Sequence, residues 1–464
     1  MTRVRIPRRE RDVPHICVTA LASRRVDRIG QPQQLGSRGT SWIDRWTGST
    51  HQQDDRRPQG DQSVRRCVRD LAGRMWFTQL CLSVRFNTIS HFATTNREAG
   101  DRMTFTPYDR PVRAAFIGLG RIYDLNARAY FDNPDVEVVA LVDPSAERRE
   151  QRLVDWPQAQ TFGSTAELAA SGIDLDAVEA LLPIPLHVEG VIELLDNGWH
   201  VNLQKPMCND LKSARKMLEA ARANDRILRV MENYIFYEPL RKLKETVESG
   251  QIGEVSGYHM KMVGSGRGGW DVPASSWEWQ FKQMQNGRGI LVFDDGWHKL
   301  ATAIWLFGAI REVRAWVGST EVLPSVAIDA PSTIVWEHEN GIRGVWDITL
   351  APNMYLRSDY YTNDERWEVT GHQGYARVNR CTGRGIQQPS LDVYADGEMR
   401  SYHALDDDWA SSFRDSGRHW LRWLRTGEGP LLWSGEEAVN VLRFALAAYA
   451  SSAAGGIGID PLSL

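Results

Sequence analysis

Residues 293–298 read FDDGWH, directly after the glycine-broken NGRGILV. Asp294 and His298 are four positions apart, so on a helix they share one face. A carboxylate beside an imidazole fixes its tautomer and raises its basicity, which a proton-transfer step needs. On these six letters alone, the plainer reading is an exposed acid pair next to a half-buried histidine. A second candidate is Lys205 in HVNLQKP (200–206), a lysine placed straight after a strand-like run and just before a proline. It acquires a role if the chain around it places strand ends at a ligand.

That chain becomes regular from residue 111. VRAAFI (112–117) predicts a short buried strand, GLGRIYDLNARAYF a glycine turn passing into a helix, and VEVVALVDP (136–144) a second strand ending at Asp143. Strand, glycine turn, helix, strand and acid is the order of a dinucleotide-binding unit. Gly118 permits the tight turn, and Gly120 lets the backbone approach a pyrophosphate at the helix start. Asp143 accepts the adenosine ribose hydroxyls, and its charge favours NAD over NADP. Arg148 and Arg149 blur that preference, so NADP stays possible. The fingerprint's third glycine or alanine is Tyr123, whose phenol has to push the helix off the strand or point elsewhere.

The alternation continues with DAVEALLP (176–183), HVEGVIELLDNG (187–198), HVNLQKP, DLKSARKMLEAARAND (210–225) and ILRVMENY (227–234), read as strand, helix, strand, helix and strand. This pattern predicts a parallel sheet covered on both faces, with ligand outside the carboxyl ends of its strands. The positions expected to border a nucleotide there are Arg121 and Ile122, Pro183 and His187, and Gln204 and Lys205. After Tyr234 the pattern changes. A helix (239–253) and an alternating strand (254–263) lead into a glycine- and tryptophan-rich loop over 264–290. The FDDGWH helix follows, then strand-like pieces REVRAWVG, STIVWEH, IRGVWDITL, RWEVTG, GYARVNR and SLDVYA, and a closing helix in EEAVNVLRFALAAYASSAAG. The expected fold is an α/β Rossmann domain with a doubly wound parallel sheet, over 111–235. It is followed by an α+β domain over 236–464 with a largely antiparallel open sheet and a C-terminal helix packed back on the body.

The first hundred residues differ. Residues 1–102 hold 19 arginines, no lysine and 10 acids, leaving 36 basic and 49 acidic residues downstream. Breakers are frequent and periodicity is slight, so residues 1–110 are expected to be an atypical arginine-rich extension, disordered or not native, with translation starting at Met103. For the whole chain, a net charge of −4 argues for neither nucleic acid nor membrane as a partner. No apolar run is long enough to span a bilayer. Five scattered cysteines form no disulfide framework and indicate a reducing, cytoplasmic setting. The His, Cys and acid spacing has no metal-ligand pattern.

Four stretches together carry a resemblance: IGLGRI with VDP, LLPIPLHVEGVIELLDNGWHVNLQKP, ENYIFYEPLRKLKETVESGQIGEV, and NGRGILVFDDGWHKLATAIWLFG. In this order and spacing, the chain from about 111 to 460 resembles the glucose–fructose oxidoreductase/inositol dehydrogenase (Gfo/Idh/MocA) family of nicotinamide-dependent oxidoreductases. The resemblance implies NAD(P)-dependent oxidation of a hydroxyl, or reduction of a carbonyl, on a sugar, cyclitol or related polyol. It also implies a homo-oligomer, dimer or tetramer. By the family pattern, Lys205 with the Asp294 and His298 of its D-x-G-x-H segment meet at the nicotinamide. His298 would be the general base, Asp294 its partner or a hydroxyl acceptor, and Lys205 the group stabilising a developing alkoxide. Pro206 suggests a cis bond after Lys205. Three positions depart from the family: Gln204 replaces an acid, Ala301 another acid, and Asn126 a histidine. Trp270, Trp277, Trp279 and Trp297 are candidate aromatic walls for a sugar ring. Tyr234 is a further candidate for substrate contact, though hinge packing is the plainer role for it and for Tyr237. Asp295 is expected to be a solvated neighbour. Two rival functions fit the same letters: an NAD-dependent glycoside hydrolase using transient oxidation, and a non-catalytic nucleotide-binding sensor or scaffold.

Overall fold

The computed structural model describes residues 105–270, 280–283, 286–323, 326–381 and 388–464. The expected extension lies outside them as far as residue 104, as do Trp277 and Trp279. All the described residues fall within one compact unit.

The near-continuous apolar runs form six short strands: β1 (Val112–Ile117), β2 (Val136–Val142), β3 (Gln160–Phe162), β4 (Ala177–Ala180), β5 (His200–Leu203) and β6 (Leu228–Val230). They pair in parallel in the order β3-β2-β1-β4-β5-β6. Between them run α1 (Tyr123–Asn126), α2 (Ala146–Leu153), α3 (Thr165–Ala170), α4 (His187–Asp196) and α5 (Leu211–Ala223). The order reverses between β1 and β4, and in such sheets the crevice outside those strand ends takes the ligand.

Tyr123 does not block the first turn. Helix α1 has only four residues, and the phenol lies edge-on to Phe116 of β1 at 5.0 Å. Its hydroxyl donates to Asp155 at 3.0 Å and accepts the Trp156 indole N–H at 2.7 Å. The residue is buried sideways, against the loop beyond α2. Gly118 has φ +94°, and a β-carbon there would meet the Leu181 carbonyl oxygen at 2.6 Å, so only glycine fits.

The second half starts with α6 (Glu238–Glu248) and β7 (Val255–Arg267), then reaches α7 (Gly296–Phe307). Strands β8 (Ile310–Val317), β9 (Thr320–Leu323), β10 (Val326–Ile328), β11 (Ser332–His338), β12 (Arg343–Tyr355), β13 (Asn363–Gly371), β14 (Gly374–Cys381), β15 (Leu391–Ala395) and β16 (Glu398–Tyr402) follow. Except for the β9–β10 ribbon, they join β7 in an eight-stranded sheet, β16-β15-β14-β13-β7-β12-β11-β8. It is antiparallel apart from the β7–β12 pair. Alternation along each strand puts Trp336, Trp346 and Trp367 on the covered face.

Two helices close the chain, α8 (Trp409–Thr426) and α9 (Gly435–Ala453). Helix α8 does not figure among the elements expected from the sequence. Its signals are an Asp408 N-cap, whose carboxylate accepts the Ala410 N–H, and apolar residues at helical spacing. It packs on the nucleotide half: Trp420, Leu421 and Leu424 share a core with Phe116, Tyr130 and Leu141. No helix of the described residues is long and apolar enough to cross a membrane.

One local device aims the opening motif. Residues Ile290–Asp295 form a wide π-type turn ahead of α7, in which the Asp294 N–H reaches back to Gly289 O at 3.2 Å. Such widened turns often occur at functional sites. The turn starts on the buried Asp329 carboxylate, which accepts the N–H groups of Leu291 (2.9 Å) and Val292 (2.7 Å) and the Tyr449 hydroxyl (3.2 Å). A β-carbon at Gly289 would fall 1.9 Å from an Asp329 oxygen, so the glycine is what lets the carboxylate in. Truncating Asp329→Ala strands two buried N–H groups, each costing about 1–3 kcal/mol. The expected loss of unfolding free energy is about 2–6 kcal/mol, measured by urea denaturation.

Candidate active site

Lys205 leaves the end of β5 through a cis bond to Pro206. Its ammonium crosses to the second half and donates to Asp294 Oδ1 at 2.8 Å and to the Asp294 carbonyl at 3.0 Å. Gln280 Nε2 donates to the other Asp294 oxygen at 3.3 Å. Two groups 89 residues apart in the chain therefore meet in an ion pair. The side chains stay 17% and 18% exposed, which leaves both open to a ligand.

His298 sits one turn further along, deeply buried. Its Nδ1 pairs with Glu232, 2.8 Å from Oε1 and 3.0 Å from Oε2. Burial, then the charge of Lys205, holds the imidazole well below its ordinary range, so the ring is neutral. Burial also pushes the Glu232 carboxyl up to about 7, opposed by the Tyr234 N–H and by Lys205 and Lys299. With Glu232 ionised, the proton of a neutral ring belongs on Nδ1, which leaves Nε2 as the acceptor. Glu232 is absent from the sequence-derived site because ILRVMENY reads as one strand to residue 234. The strand stops at Val230, and the Glu232 carboxylate accepts the Tyr234 N–H at 2.8 Å, folding the chain beneath the histidine. An acid just past the end of a short buried strand was the available signal.

Tyr234 is 1% exposed and stacks flat on His298, ring centres 4.4 Å apart at 11°. Its position is that of a floor under the imidazole and not of a substrate contact. Trp297 is 0% exposed and belongs to the core, so the expectation that it walls the substrate does not hold. Asp295 also differs from its expected solvated state. It pairs with Lys299 at 2.5 Å, and Lys299 reaches Glu365 at 2.8 Å, which in turn holds Arg380 at 2.6 Å. Burial raises the Asp295 carboxyl against the pull of Lys299. Burial acts the same way on Glu365, but Arg380 and Lys299 prevail and hold it ionised, below the usual carboxylate range. These charges lie under Tyr234, whose hydroxyl is 3.2 Å from Glu365.

On the nucleotide side, Asp143 is buried and ties the glycine turn to the exit of β2, accepting Leu119 N–H at 2.9 Å and Ser145 N–H at 2.8 Å. Arg148 stands 3.7 Å from it. Arg121 lies over the Trp270 ring at 4.3 Å, and Trp270 in turn meets Tyr361 at 5.3 Å, so an aromatic wall faces the glycine turn. Ile122 is partly buried behind that turn, and Pro183 opens the short helical turn after β4. His187 is fully buried and its ring nitrogens face carbonyls, Met207 O at 3.1 Å and Leu182 O at 2.8 Å, one of which takes the single N–H of the neutral ring. It braces the loop that follows Pro206, and no ring nitrogen is left to face a nucleotide. Gln204 uses Oε1 to accept the Lys205 N–H at 2.9 Å, while its buried Nε2 has no partner among the described residues. An unspent amide donor beside Lys205, and open space where a β-carbon on Gly120 would point, fit a polar nucleotide at the strand ends.

Comparison with known proteins shows the family. Residues 112–232 match an oxidoreductase family with an NAD-binding Rossmann fold, and residues 240–377 match the GFO/IDH/MocA C-terminal domain. A D-apiose dehydrogenase of Rhizobium rhizogenes is 23% identical over 347 residues, covering 74% of this chain and 96% of that protein. A scyllo-inositol 2-dehydrogenase (NADP(+)) of Bacillus subtilis is 28% identical over 229 residues, 49% of this chain and 67% of its own length. The crystal structure of an oxidoreductase from Agrobacterium radiobacter, in complex with NAD+, L-tartaric acid and magnesium, shares the fold. Its TM-score is 0.62 at 23% identity, over 76% of this chain and 99% of that one.

The buried carboxylate–imidazole pair has a spectroscopic consequence. As the pH falls through about 7, the proton taken up goes to Glu232, whose raised pKa exceeds that of the depressed ring. The ring then stays neutral but changes tautomer, from Nδ1–H to Nε2–H. Nitrogen-15 spectra of the imidazole check this, and a doubly protonated ring at pH 6 contradicts it.

Proposed function

The chain belongs to the GFO/IDH/MocA oxidoreductases with their NAD-binding Rossmann fold, and on that footing we propose that it interconverts a hydroxyl-bearing carbon and a carbonyl carbon on a sugar, cyclitol or related polyol. The observation that carries this reading is the Lys205–Asp294 contact, made at the strand ends by residues from both halves with His298 one helical turn away. The relatives, a D-apiose dehydrogenase and a scyllo-inositol 2-dehydrogenase, support this substrate class.

Nicotinamide, when bound, supplies the hydride acceptor or donor. The residues that would hold the dinucleotide are Gly118, Gly120, Arg121 and Ile122 at the turn, Asp143 at the ribose, and Pro183, Gln204 and Lys205 at the reactive end. The remaining work is the protein's. His298 Nε2 removes the hydroxyl proton, and Glu232 keeps the ring in the tautomer that can do so. Lys205 donates to the oxygen as negative charge builds on it, and Asp294 orients both the ammonium and the hydroxyl. Tyr234 fixes the plane of the ring from below. Gln204 still accepts the Lys205 N–H, and Tyr123 is accommodated, so these two departures leave this apparatus intact. Asp143 with Arg148 nearby is compatible with NAD and leaves NADP open.

Lys205→Ala and His298→Ala are each expected to lower turnover on the true substrate by about a hundredfold or more while NAD binding persists. Steady-state kinetics with a fluorescence titration of the nucleotide measures both, and near-normal turnover in either variant removes that residue from the mechanism. Alcohol oxidation should also decline as pH drops below about 7, because the proton gained by the Glu232–His298 pair blocks Nε2. Glu232→Gln cannot take up that proton, so it should flatten the acid limb and lower kcat by about tenfold. An unchanged pH–rate profile in this variant would separate Glu232 from the base.

A further inference from the structure

Strand β6 buries a cation that the mechanism above does not use. Arg229 is 0% exposed, yet it makes no direct ion pair among the described residues. Its donors go to three neutral acceptors: Nε to Leu432 O at 3.0 Å, Nη1 to Asn202 Oδ1 at 2.8 Å and Nη2 to Ser416 Oγ at 2.8 Å. Burial lowers the guanidinium to about 10, against the pull of Glu179 and Glu232, so it stays charged at neutral pH. A guanidinium wholly out of water with no carboxylate on it is costly to keep. Such groups concentrate at functional sites.

Two of the three acceptors carry the contact on to an acid. Asn202 Nδ2 donates to Glu179 Oε2 at 2.7 Å, the oxygen that also takes the Tyr130 hydroxyl. Ser416, on α8 and 0% exposed, donates its own hydroxyl proton to the Glu232 carbonyl at 2.9 Å. One turn earlier on the same helix, Ser412 Oγ accepts Asn233 Nδ2 at 2.8 Å. Residues 232–233 lie past the end of β6, so no strand pairing holds them. Helix α8 grips them instead, at two points, and Glu232 is the carboxylate that orients His298.

We propose that Arg229 and Ser416 are positioning residues for the dehydrogenase: by way of the Glu232 carbonyl they hold that acid against His298, and the Arg229 charge keeps it ionised. The inference rests on the dehydrogenase reading and deepens it, by making α8 part of the catalytic apparatus. The charges facing Arg229 are Glu179, Glu232 and Glu437, and the Tyr130 hydroxyl also acts on it. His419 on α8 is neutral, held down to about 4 by burial and then by Arg229 itself. Those facing Glu232 are Lys205 and Lys299, with the neutral His298 ring on its carboxylate. Lys205 and Lys299 are already paired, with Asp294 and with Asp295 and Glu365. Arg229 has no acid in contact, so its field reaches Glu179 and Glu232 through a dry interior.

The test uses the full chain, as wild type and as Arg229→Met, Arg229→Lys and Ser416→Ala. Two readouts separate positioning from packing. One is the pH at which the His298 ring changes tautomer in nitrogen-15 spectra, which needs no substrate. The other is the acid limb of kcat on a panel of neutral polyols with NAD or NADP. Arg229→Met should move both midpoints to a proton concentration about tenfold lower, because Glu232 then takes its proton more readily. Arg229→Lys keeps the charge and should hold both midpoints within about twofold of wild type. Ser416→Ala should lower kcat about tenfold with KM within about twofold, and leave the ring a mixture of tautomers at about pH 8. It decides the matter if Arg229→Met fails to fold. Unmoved midpoints in Arg229→Met, midpoints in Arg229→Lys that follow those of Arg229→Met, or a single Nδ1–H tautomer with normal kcat in Ser416→Ala each overturn the assignment and leave the dehydrogenase reading intact. If wild type turns over none of the panel while the spectra shift as expected, the dehydrogenase reading falls and the hold on Glu232 stands.

Discussion

The contact between the Lys205 ammonium and the Asp294 carboxylate is the constraint on which the site depends. It joins a strand end of the parallel sheet to the turn that opens α7. The two side chains are neither sealed nor freely solvated. A fully buried pair would be costly to form and closed to ligand, and a fully solvated one would contribute little geometry. Partial burial keeps the two halves in register while leaving lone pairs and N–H bonds for a substrate. The π-type turn, the Asp329 carboxylate that starts it and the glycine that admits that carboxylate all serve to bring Asp294 to this meeting point.

Beneath that contact the charges are layered. The imidazole rests on Tyr234 and is steered by Glu232, and under them Lys299, Glu365 and Arg380 compensate one another. Removing one partner from such a layer leaves an uncompensated buried charge, which is why the arrangement acts as a rigid base for the histidine. The low-dielectric setting also separates the proton affinities of Glu232 and His298, raising one and depressing the other. That separation is what gives the ring a defined tautomer.

Much of this was legible in the sequence, unevenly. The parallel sheet was readable because strands buried on both faces are near-continuous apolar runs, and the glycine turn between β1 and α1 marked it as a dinucleotide-binding fold. Lys205, Asp294 and His298 could be named from family spacing, and the structure brings Lys205 and Asp294 into contact. The single-letter pattern could not reveal whether an acid is solvated. Asp295 reads like any surface carboxylate until Lys299, one helical turn on, is seen pointing inward. Trp297 reads like a sugar platform although its register on α7 sends it into the core. Glu232 was hidden because a strand and a strand followed by a folded-back turn share the same letters. His187 sits at the right end of the sheet but turns its nitrogens toward carbonyls, a choice made by the loop after Pro206.

Helix α8 has a different bearing on the molecule. It comes late in the chain yet supplies Trp420, Leu421 and Leu424 to one face of the first sheet, and Gly417 seats it so closely on Ala129 that a β-carbon would fall 2.4 Å away. The nucleotide half consequently has no complete exterior of its own. A fragment ending near residue 235 would present a bare apolar face to water and tend to self-associate. A chimaera grafting a foreign catalytic half onto this dinucleotide turn would have to import a matching lid helix as well, so the exchangeable unit is discontinuous in sequence.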